Sequence, residues 1–257
     1  MARDGRDFAH PCSCRQGRPR EPEDFLVACR IPARYEECSF ATFNAGNASL
    51  SAAVEKAMRY CNGYPYLGVD EGLGLLLIGP NGVGKTHLAV SALRELVLMK
   101  GCNGQYWDFH ELIRQIKNSY DSATRTTEEQ VLQPVIQTDV LLLDDLGAWK
   151  MTDWMIDTLF FILNSRYMAK RSTIITTNFE DIDRAQLREA DESVRKEFLV
   201  ERIGPRTRSR LLEMCLLVRL DGPDYRQMRQ SGKRAVLGDL DPDPQPVIPP
   251  PRPRFGG

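Results

Sequence analysis

Short, continuously apolar runs alternate along the chain with longer segments in which apolar residues recur at helical spacing. A run that is apolar at every position is typical of a strand buried on both faces of a sheet. Residues 75–78 form such a run, and strands are also predicted at 105–109, 140–143, 172–176 and 215–220. Helices are predicted at 85–100, 111–120, 127–137 and 152–170. This alternation indicates an α/β fold with a mainly parallel sheet covered on both faces.

The ends of the chain have a different composition. Residues 1–24 are polar, with Arg, Pro and Gly throughout, and this composition favours disorder. Ser49 is expected to cap a helix at 50–62. The residues expected on its packed face are Leu50, Val54, Ala57 and Met58. Residues 232–257 are rich in Pro and predict an extended tail, which is either a ligand for an aromatic groove or inert.

The overall composition is that of a soluble globular protein of 257 residues, with 42% hydrophobic and 27% charged residues. The formal net charge is -1, so any contact with DNA has to come from a local basic patch. No apolar run approaches the ~20 residues that span a bilayer. The N-terminus lacks the apolar stretch of a signal peptide. We therefore expect a cytoplasmic protein with no membrane partner.

The seven cysteines are scattered, and their odd number argues against a disulfide framework. Only Cys12 and Cys14 are clustered, with His10 beside them. This group, together with Cys29 or Cys38, either binds zinc or consists of ordinary thiols. The spacing of one residue between the cysteines is not the usual ligand spacing, and the second interpretation is favoured.

A glycine-rich motif follows the first strand directly and precedes a helix directly, which is the context of a phosphate-binding loop. The glycines allow backbone N–H groups to turn toward phosphates, and the helix start adds a positive dipole end. Lys85 is expected to reach the terminal phosphates of ATP, and Thr86 to offer its hydroxyl to Mg²⁺. The residues assigned to nucleotide binding are Gly79, Pro80, Asn81, Gly82, Val83, Gly84, Lys85, Thr86 and His87.

Two carboxylates end the third predicted strand. The carboxyl ends of parallel strands face the ligand crevice in such folds. Asp144 is therefore the expected Mg²⁺ partner, directly or through water, and Asp145 is placed to polarise the attacking water. The alternative is that one carboxylate only caps the next turn. Asn178 follows the fourth strand at the same edge, where its amide is expected near the γ-phosphate, although Asn is also a common turn residue.

These motifs, in this order, resemble those of the AAA+ ATPases. The segments 31–35, 143–148, 173–178 and 209–211 are similar to the DnaC/IstB group, which comprises helicase loaders and the ATPase helpers of some transposases. The resemblance covers roughly residues 31–228. It implies a three-layer α/β sandwich with five parallel strands in the order 5-1-4-3-2. It also implies self-association with ATP at subunit boundaries.

This resemblance divides the chain into four parts. They are a flexible N-terminal arm at 1–30, a lead-in segment at 31–72, an AAA+ ATPase core at 73–228 and a disordered Pro-rich tail at 229–257. The fifth strand ends near Leu220 and the tail follows, so a full C-terminal lid is expected to be absent. That expectation leaves a cis-acting sensor arginine without an assigned position.

The resemblance also implies an arginine that reaches the γ-phosphate of a neighbouring subunit. The candidates are Arg206 and Arg210, and Arg210 is the better match because it lies in Ser-Arg-Leu. The alternative role for either is a solvated or DNA-facing cation.

Single-stranded DNA is a further expected partner. The helices between the second and third strands carry Arg114 and Lys117, and the segment 195–234 has an excess of basic residues. Either set could instead form a solvated face or a subunit contact. Tyr106, Trp107, Phe109 and Trp154 are interpreted as packing residues rather than base-stacking platforms.

Three functions compete at this point. The first is a DnaC-type ATPase with slow, switch-like hydrolysis that loads or remodels a replicative helicase during replication initiation. The second is an IstB-like helper of a DNA transposase. The third is a P-loop kinase for a small molecule, which the acid pair and the arginines fit less well because they suit water as the acceptor.

Overall fold

A computed structural model of the chain describes residues 22–65, 74–121, 126–182 and 198–227. Five strands form one parallel sheet. They are β1 (Gly74–Ile78), β2 (Gly104–Asp108), β3 (Val140–Asp144), β4 (Ser172–Thr177) and β5 (Cys215–Arg219). Their order across the sheet is β2-β3-β4-β1-β5. This is the predicted order read from the opposite edge, so the predicted fold class is confirmed.

Seven helices surround the sheet within the described residues, together with a short 3-10 turn at Ala33–Tyr35. The helices are α1 (Pro22–Ala28), α2 (Ala48–Gly63), α3 (Lys85–Lys100), α4 (Phe109–Asn118), α5 (Glu128–Gln137), α6 (Asp153–Met168) and α7 (Leu199–Met214). The predicted helices at 85–100, 127–137 and 152–170 agree with α3, α5 and α6 within two residues at each end.

The alternation of side chains along each strand produces the three layers. Leu75 and Leu77 of β1 point into one core with α1, α2 and α3. Leu76 and Ile78 point into a second core with α4, α5, α6 and α7. The continuously apolar strands are therefore explained, because both faces of the sheet are covered.

The structure differs from the expected arm at 1–30. Helix α1 lies within that range, and Phe25 and Leu26 pack against the core around Cys29, which is fully buried. The N–H of Tyr106 in β2 donates to the carbonyl of Cys29 at 2.7 Å. The end of α1 is thus fixed to an edge strand, because the apolar side chains after residue 24 have a core surface to cover.

The predicted cap of the second helix was wrong. Asn47, not Ser49, caps α2, and its side chain accepts from the N–H of Leu50 at 2.9 Å. Ser49 Oγ instead accepts from the N–H of Asp221 at 3.1 Å. Met58 is 45% exposed, so it does not belong to the packed face. That face consists of Leu50, Ala53, Ala57, Tyr60 and Cys61.

The end of the second strand also differs from the prediction. Phe109 is the first residue of α4 rather than the last of β2. The reason is Asp108, whose side chain accepts from the N–H of Glu111 at 2.9 Å and caps the helix. Tyr106, Trp107 and Phe109 are all buried, which confirms their interpretation as packing residues.

Several expectations fall outside the described residues. They concern Cys12 and Cys14, the Pro-rich tail and the absent lid. The five cysteines that the structure does describe are free and buried. Across the described ranges, His, Cys, Asp and Glu form no group of three or more that could hold a metal ion. None of the described helices is long and apolar enough to cross a membrane.

Candidate functional site

The loop at 79–86 joins β1 to α3 and has the backbone of a phosphate-binding loop. Gly82 and Gly84 have φ angles of 76° and 106°, which side chains other than glycine rarely adopt. A Cβ at Gly82 would lie 1.8 Å from a carboxylate oxygen of Asp224. The loop therefore needs glycine at both positions, and its turn leads into the N-terminus of α3.

Lys85 is the buried cation of the loop, with 7% of its surface exposed. Its Nζ donates to the carbonyls of Gly79 and Pro80 at 2.8 and 2.7 Å. Burial lowers the pKa of Lys85 to about 8, and the nearby carboxylates of Asp145 and Asp144 oppose that shift. The loop thus presents a positive charge that is held by neutral carbonyls, and no carboxylate of the described residues forms an ion pair with it.

Asp144 is the buried carboxylate opposite the loop. Its Oδ1 accepts from the hydroxyls of Thr86 at 2.9 Å and Thr176 at 2.6 Å. Its Oδ2 accepts from the hydroxyl of Tyr106 at 2.8 Å. Three elements therefore converge on one carboxylate: the start of α3, the end of β4 and the edge strand β2.

Asp145 follows with a left-handed backbone, φ 59°, which turns the chain away from the strand. Its N–H donates to Thr176 Oγ1 at 2.9 Å, and its Oδ1 accepts from the amide of Asn178 at 3.0 Å. Partial burial and the carboxylates of Asp144 and Asp108 raise the pKa of Asp145. A raised pKa suits a group that accepts a proton from water.

Most of the predicted motif residues lie around one cavity of about 460 Å³, whereas Gly79, Pro80 and Val83 do not line it. Those on its wall are Asn81, Gly82, Gly84, Lys85, Thr86, His87, Asp144, Asp145 and Asn178. Residues that are far apart in sequence are thus brought together, because β1, β3 and β4 are neighbours whose carboxyl ends meet at this edge.

His87 connects the loop helix to the lead-in segment. Its Nε2 lies 3.1 Å from the carbonyl of Ser39 and 3.1 Å from the hydroxyl of Thr42. The ring of Phe43 packs edge-on against it, with centroids 5.4 Å apart. Burial lowers the pKa of His87. The imidazole is therefore engaged with residues 39–43, besides lining the cavity.

The cavity has further polar residues that the sequence motifs do not contain. They are Arg34, Tyr35, Tyr106, Asp108 and Arg226. Arg226 follows β5, and the N–H of its neighbour Tyr225 donates to the carbonyl of Gly82 at 3.1 Å. The chain after β5 therefore passes the phosphate loop and places an arginine of the same chain at the cavity. The sequence left the position of a cis-acting arginine open, and Arg226 is an arginine of the same chain that lines the cavity.

Arg206 and Arg210 do not line the nucleotide cavity of their own chain. The guanidinium of Arg206 lies 3.8 Å above the ring of Phe160. Arg210 forms an ion pair with Glu213 at 2.7 Å and lies 4.0 Å above the ring of Tyr167. Both arginines are on α7.

The two helix cations that were considered for DNA differ in their surroundings. Arg114 pairs with Glu111 at 2.6 Å. Lys117 is exposed, and its Nζ lies 5.4 Å from the ring centroid of Trp154. The exposed ring of Tyr120 meets the same indole edge-on at 6.1 Å. Trp154 packs partly on the core, as predicted, and also forms part of this cationic and aromatic surface.

The donor set at the cavity fits a magnesium ion. Mg²⁺ prefers oxygen ligands and usually binds through one or two carboxylates together with phosphates and water. The Thr86 hydroxyl and the Asp144 carboxylate are adjacent oxygen groups on the cavity wall. Thr86 and Asp144 would therefore hold such an ion, which would neutralise charge on a bound nucleotide.

A parallel sheet of this order, a phosphate loop after β1 and an acid pair at the end of β3, with β4 between the two strands, define a P-loop ATPase of the AAA+ class. The sequence pattern of the IstB-like ATP binding protein family matches residues 61–233, which is more than half of the chain. The chain belongs to this family, and the resemblance to the DnaC/IstB group is confirmed.

Known proteins from both branches of the group are similar to the chain. It is 32% identical over 162 residues to the replicative helicase loader DnaI of Bacillus subtilis (strain 168), which covers 63% of this chain and 50% of that protein. It is 34% identical over 110 residues to the putative ATP-binding protein of insertion sequence IS21 from Pseudomonas aeruginosa. This match covers 43% of this chain and 40% of that protein. The crystal structure of the DnaC helicase loader matches with a TM-score of 0.60 at 31% identity, over 74% of this chain and 99% of that chain. The chain spans 50–65% of the length of the helicase loaders compared with it by sequence.

Proposed function

We propose that this chain binds and hydrolyses ATP in order to load or remodel a replicative helicase on DNA. The observation that carries the ATPase part is the convergence of Lys85, Thr86, Asp144, Asp145 and Asn178 on one cavity. The loader role is supported by the length of the similarity. The match to DnaI extends over 162 residues, against 110 for the IS21 protein.

Each residue of the cavity has a chemical role in this proposal. Lys85 exchanges its bonds to the loop carbonyls for oxygens of the terminal phosphates. Thr86 and Asp144 hold Mg²⁺, which when bound neutralises charge on the phosphates. Asp145 polarises the attacking water. Asn178, bonded to Asp145 at 3.0 Å, fixes that carboxylate and is close enough to share the water.

A cation of the same chain adds to this set. Arg226 lies on the cavity wall, and its charge is close enough to lower the pKa of Lys85 slightly, in the opposite sense to the carboxylates. Two cations that repel each other across a cavity favour an anion between them. We therefore assign Arg226 to the phosphates of ATP bound in its own chain.

The site is completed by a second copy in this proposal. Arg210 or Arg206 of one subunit reaches the γ-phosphate held by its neighbour, which is consistent with their absence from the cavity of their own chain. Mixing two inactive variants tests this. Asp145→Asn keeps the arginines and Arg210→Ala keeps the acid pair, so the mixture should regain ATP hydrolysis.

The turnover of each variant alone shows which of the two arginines acts. If Arg210→Ala retains full turnover alone and Arg206→Ala does not, then Arg206 is the acting residue. If all three variants are inactive and no mixture recovers turnover, although the subunits still associate, then the shared site is refuted.

Single-stranded DNA is proposed to bind the surface of Lys117, Tyr120 and Trp154. A cation beside the exposed ring of Tyr120 and the partly buried ring of Trp154 suits phosphates and stacked bases. Lys117→Ala should weaken binding and reduce the slope of log affinity against log salt by about 0.7. Arg114→Ala is the matched control, because that cation is already paired on the same helix. An unchanged slope in Lys117→Ala would remove this surface from the proposal.

The helicase partner is tested by capture of the purified host replicative helicase, with ATP, with ADP and without nucleotide. Binding that depends on the nucleotide supports the loader role, and no binding in any state refutes it. Nucleotide-dependent capture of a transposase instead would favour the IstB-like role. Phosphate transfer to a nucleoside or sugar, with no effect of DNA, would favour the kinase.

A further inference from the structure

One carboxylate in the cavity is held by three hydroxyl groups, of which one lies outside the motifs. Thr86 and Thr176 donate to Oδ1 of Asp144. Thr86 belongs to the phosphate loop, and Thr176 lies near the end of β4, in the segment 173–178 that also contains Asn178. The third donor, Tyr106, comes from the edge strand β2 and bonds Oδ2 at 2.8 Å. Asp144 is 5% exposed, so water has little access to replace any of these bonds.

The surroundings of Tyr106 hold its hydroxyl in place. Its ring is 7% exposed and belongs to the core beneath α3. Its N–H donates to the carbonyl of Cys29 at 2.7 Å, and its ring lies 6.4 Å from the ring of Tyr35, centroid to centroid. Burial and the charge of Asp144 raise the pKa of Tyr106, so the phenol keeps its proton and acts as a donor.

We infer that Tyr106 is a positioning residue for the metal-binding carboxylate of this ATPase. Its hydroxyl fixes the rotation of Asp144 by engaging Oδ2, which leaves Oδ1 beside the Thr86 hydroxyl, the other proposed Mg²⁺ ligand. Without the phenol oxygen, Oδ2 would be a buried acceptor with no donor, and the carboxylate would turn to find one. The inference rests on the proposed magnesium site.

The test removes only the hydroxyl. Tyr106→Phe keeps the ring and therefore the packing of β2 against α3. The affinity of the full chain for a fluorescent ATP analogue is measured in excess Mg²⁺ and again in EDTA, and the ratio of the two reports the contribution of the metal. We expect the affinity of Tyr106→Phe in EDTA to stay within about twofold of the wild-type value. The ratio of the affinity in Mg²⁺ to that in EDTA should fall about 10-fold, as for other residues that orient metal ligands.

Tyr60→Phe is the matched control. It deletes another buried phenol hydroxyl, whose partner is Ser172 Oγ at the opposite end of β4 from the cavity. It should leave the metal ratio unchanged. A Tyr106→Phe ratio equal to that of the wild type and of Tyr60→Phe overturns the inference. An equal loss of affinity with and without metal also overturns it, because Tyr106 would then only shape the cavity.

Two further variants separate this inference from the proposed function. Asp144→Asn and Thr86→Ala remove the proposed ligands themselves, so each should reduce the metal ratio at least as much as Tyr106→Phe. If neither changes the ratio, the magnesium site is elsewhere and the proposed function loses its metal assignment. If both reduce it and Tyr106→Phe does not, only the role of Tyr106 is refuted.

Discussion

Thr176 connects the two carboxylates of the site, so its hydroxyl can be removed to test how the acid pair is held. Its Oγ1 donates to Asp144 at 2.6 Å and accepts from the N–H of Asp145 at 2.9 Å. The side chain is 1% exposed. Thr176→Val has nearly the same shape, so its effects come from the loss of these two bonds.

The expected loss of stability follows from the two partners. A hydrogen bond to a charged group contributes about 1.5–3 kcal/mol, and the bond from the partly buried N–H contributes about 1 kcal/mol. The sum is about 3 kcal/mol. For a domain of this size, that corresponds to a fall in melting temperature of roughly 6–12 °C.

The effect on ATP hydrolysis should be larger than the effect on binding. Asp145 loses the bond that sets its backbone, and a displacement of ~1 Å in a catalytic group can cost about 100-fold in rate. Thr177→Val is the control, because Thr177 is equally buried but bonds the carbonyl of Leu146 at 2.8 Å. Thermal unfolding and single-turnover hydrolysis are measured for both variants. Equal turnover in the two valine variants would refute the idea that Thr176 organises the acid pair.

Three further predictions concern single residues of the cavity. The pKa of Lys85 is lowered to about 8, so the ammonium that binds phosphate is fully present only below that pH. ATP affinity should therefore be highest below pH 8 and fall by up to about tenfold per pH unit above it, as measured by titration calorimetry. An affinity that stays constant up to about pH 9.5 would contradict this. Asp145→Asn should retain ATP in filter binding while its hydrolysis falls by about 100-fold or more, and turnover near that of the wild type would exclude Asp145 as the water-polarising group. Arg226→Ala should weaken ATP binding roughly tenfold, whereas Arg219→Ala, whose cation pairs with Glu180 and does not line this cavity, should not; equal effects would remove Arg226 from the site.

The parts of the site that are local in sequence could be predicted. Lys85 and Thr86 follow a strand in a glycine pattern with one main physical use, and Asp144 ends a strand that is apolar at every position. The order of the strands came from the resemblance. The periodic pattern itself contains no information on which strand lies beside which.

The parts that depend on tertiary placement could not be predicted. In the sequence, Tyr106 is one of several aromatic residues in a predicted strand. Only the pairing of β2 with β3 brings its hydroxyl to Asp144. Arg226 lies after the last strand, and no local pattern shows that this segment returns to the phosphate loop. Only the hydrogen bond from the N–H of its neighbour Tyr225 to the carbonyl of Gly82 shows this return.

Errors at the ends of elements have a similar cause. Asn47 and Ser49 are both good capping residues, and the choice depends on Asp221, whose N–H engages Ser49 from 172 residues away. The boundary at Phe109 was missed because an aromatic residue continues a strand pattern, whereas the Asp108 carboxylate starts a helix. In both cases a side-chain hydrogen bond decided between local alternatives of similar propensity.

We propose that ATP held by this cavity drives the loading of a replicative helicase. This is tested by the amount of host helicase loaded onto closed circular single-stranded DNA by the wild-type chain and by Lys85→Ala, with and without ATP. We expect loading by the wild type that requires ATP, and none above background by Lys85→Ala. Equal loading by the two proteins, or loading that is the same without ATP, would contradict it.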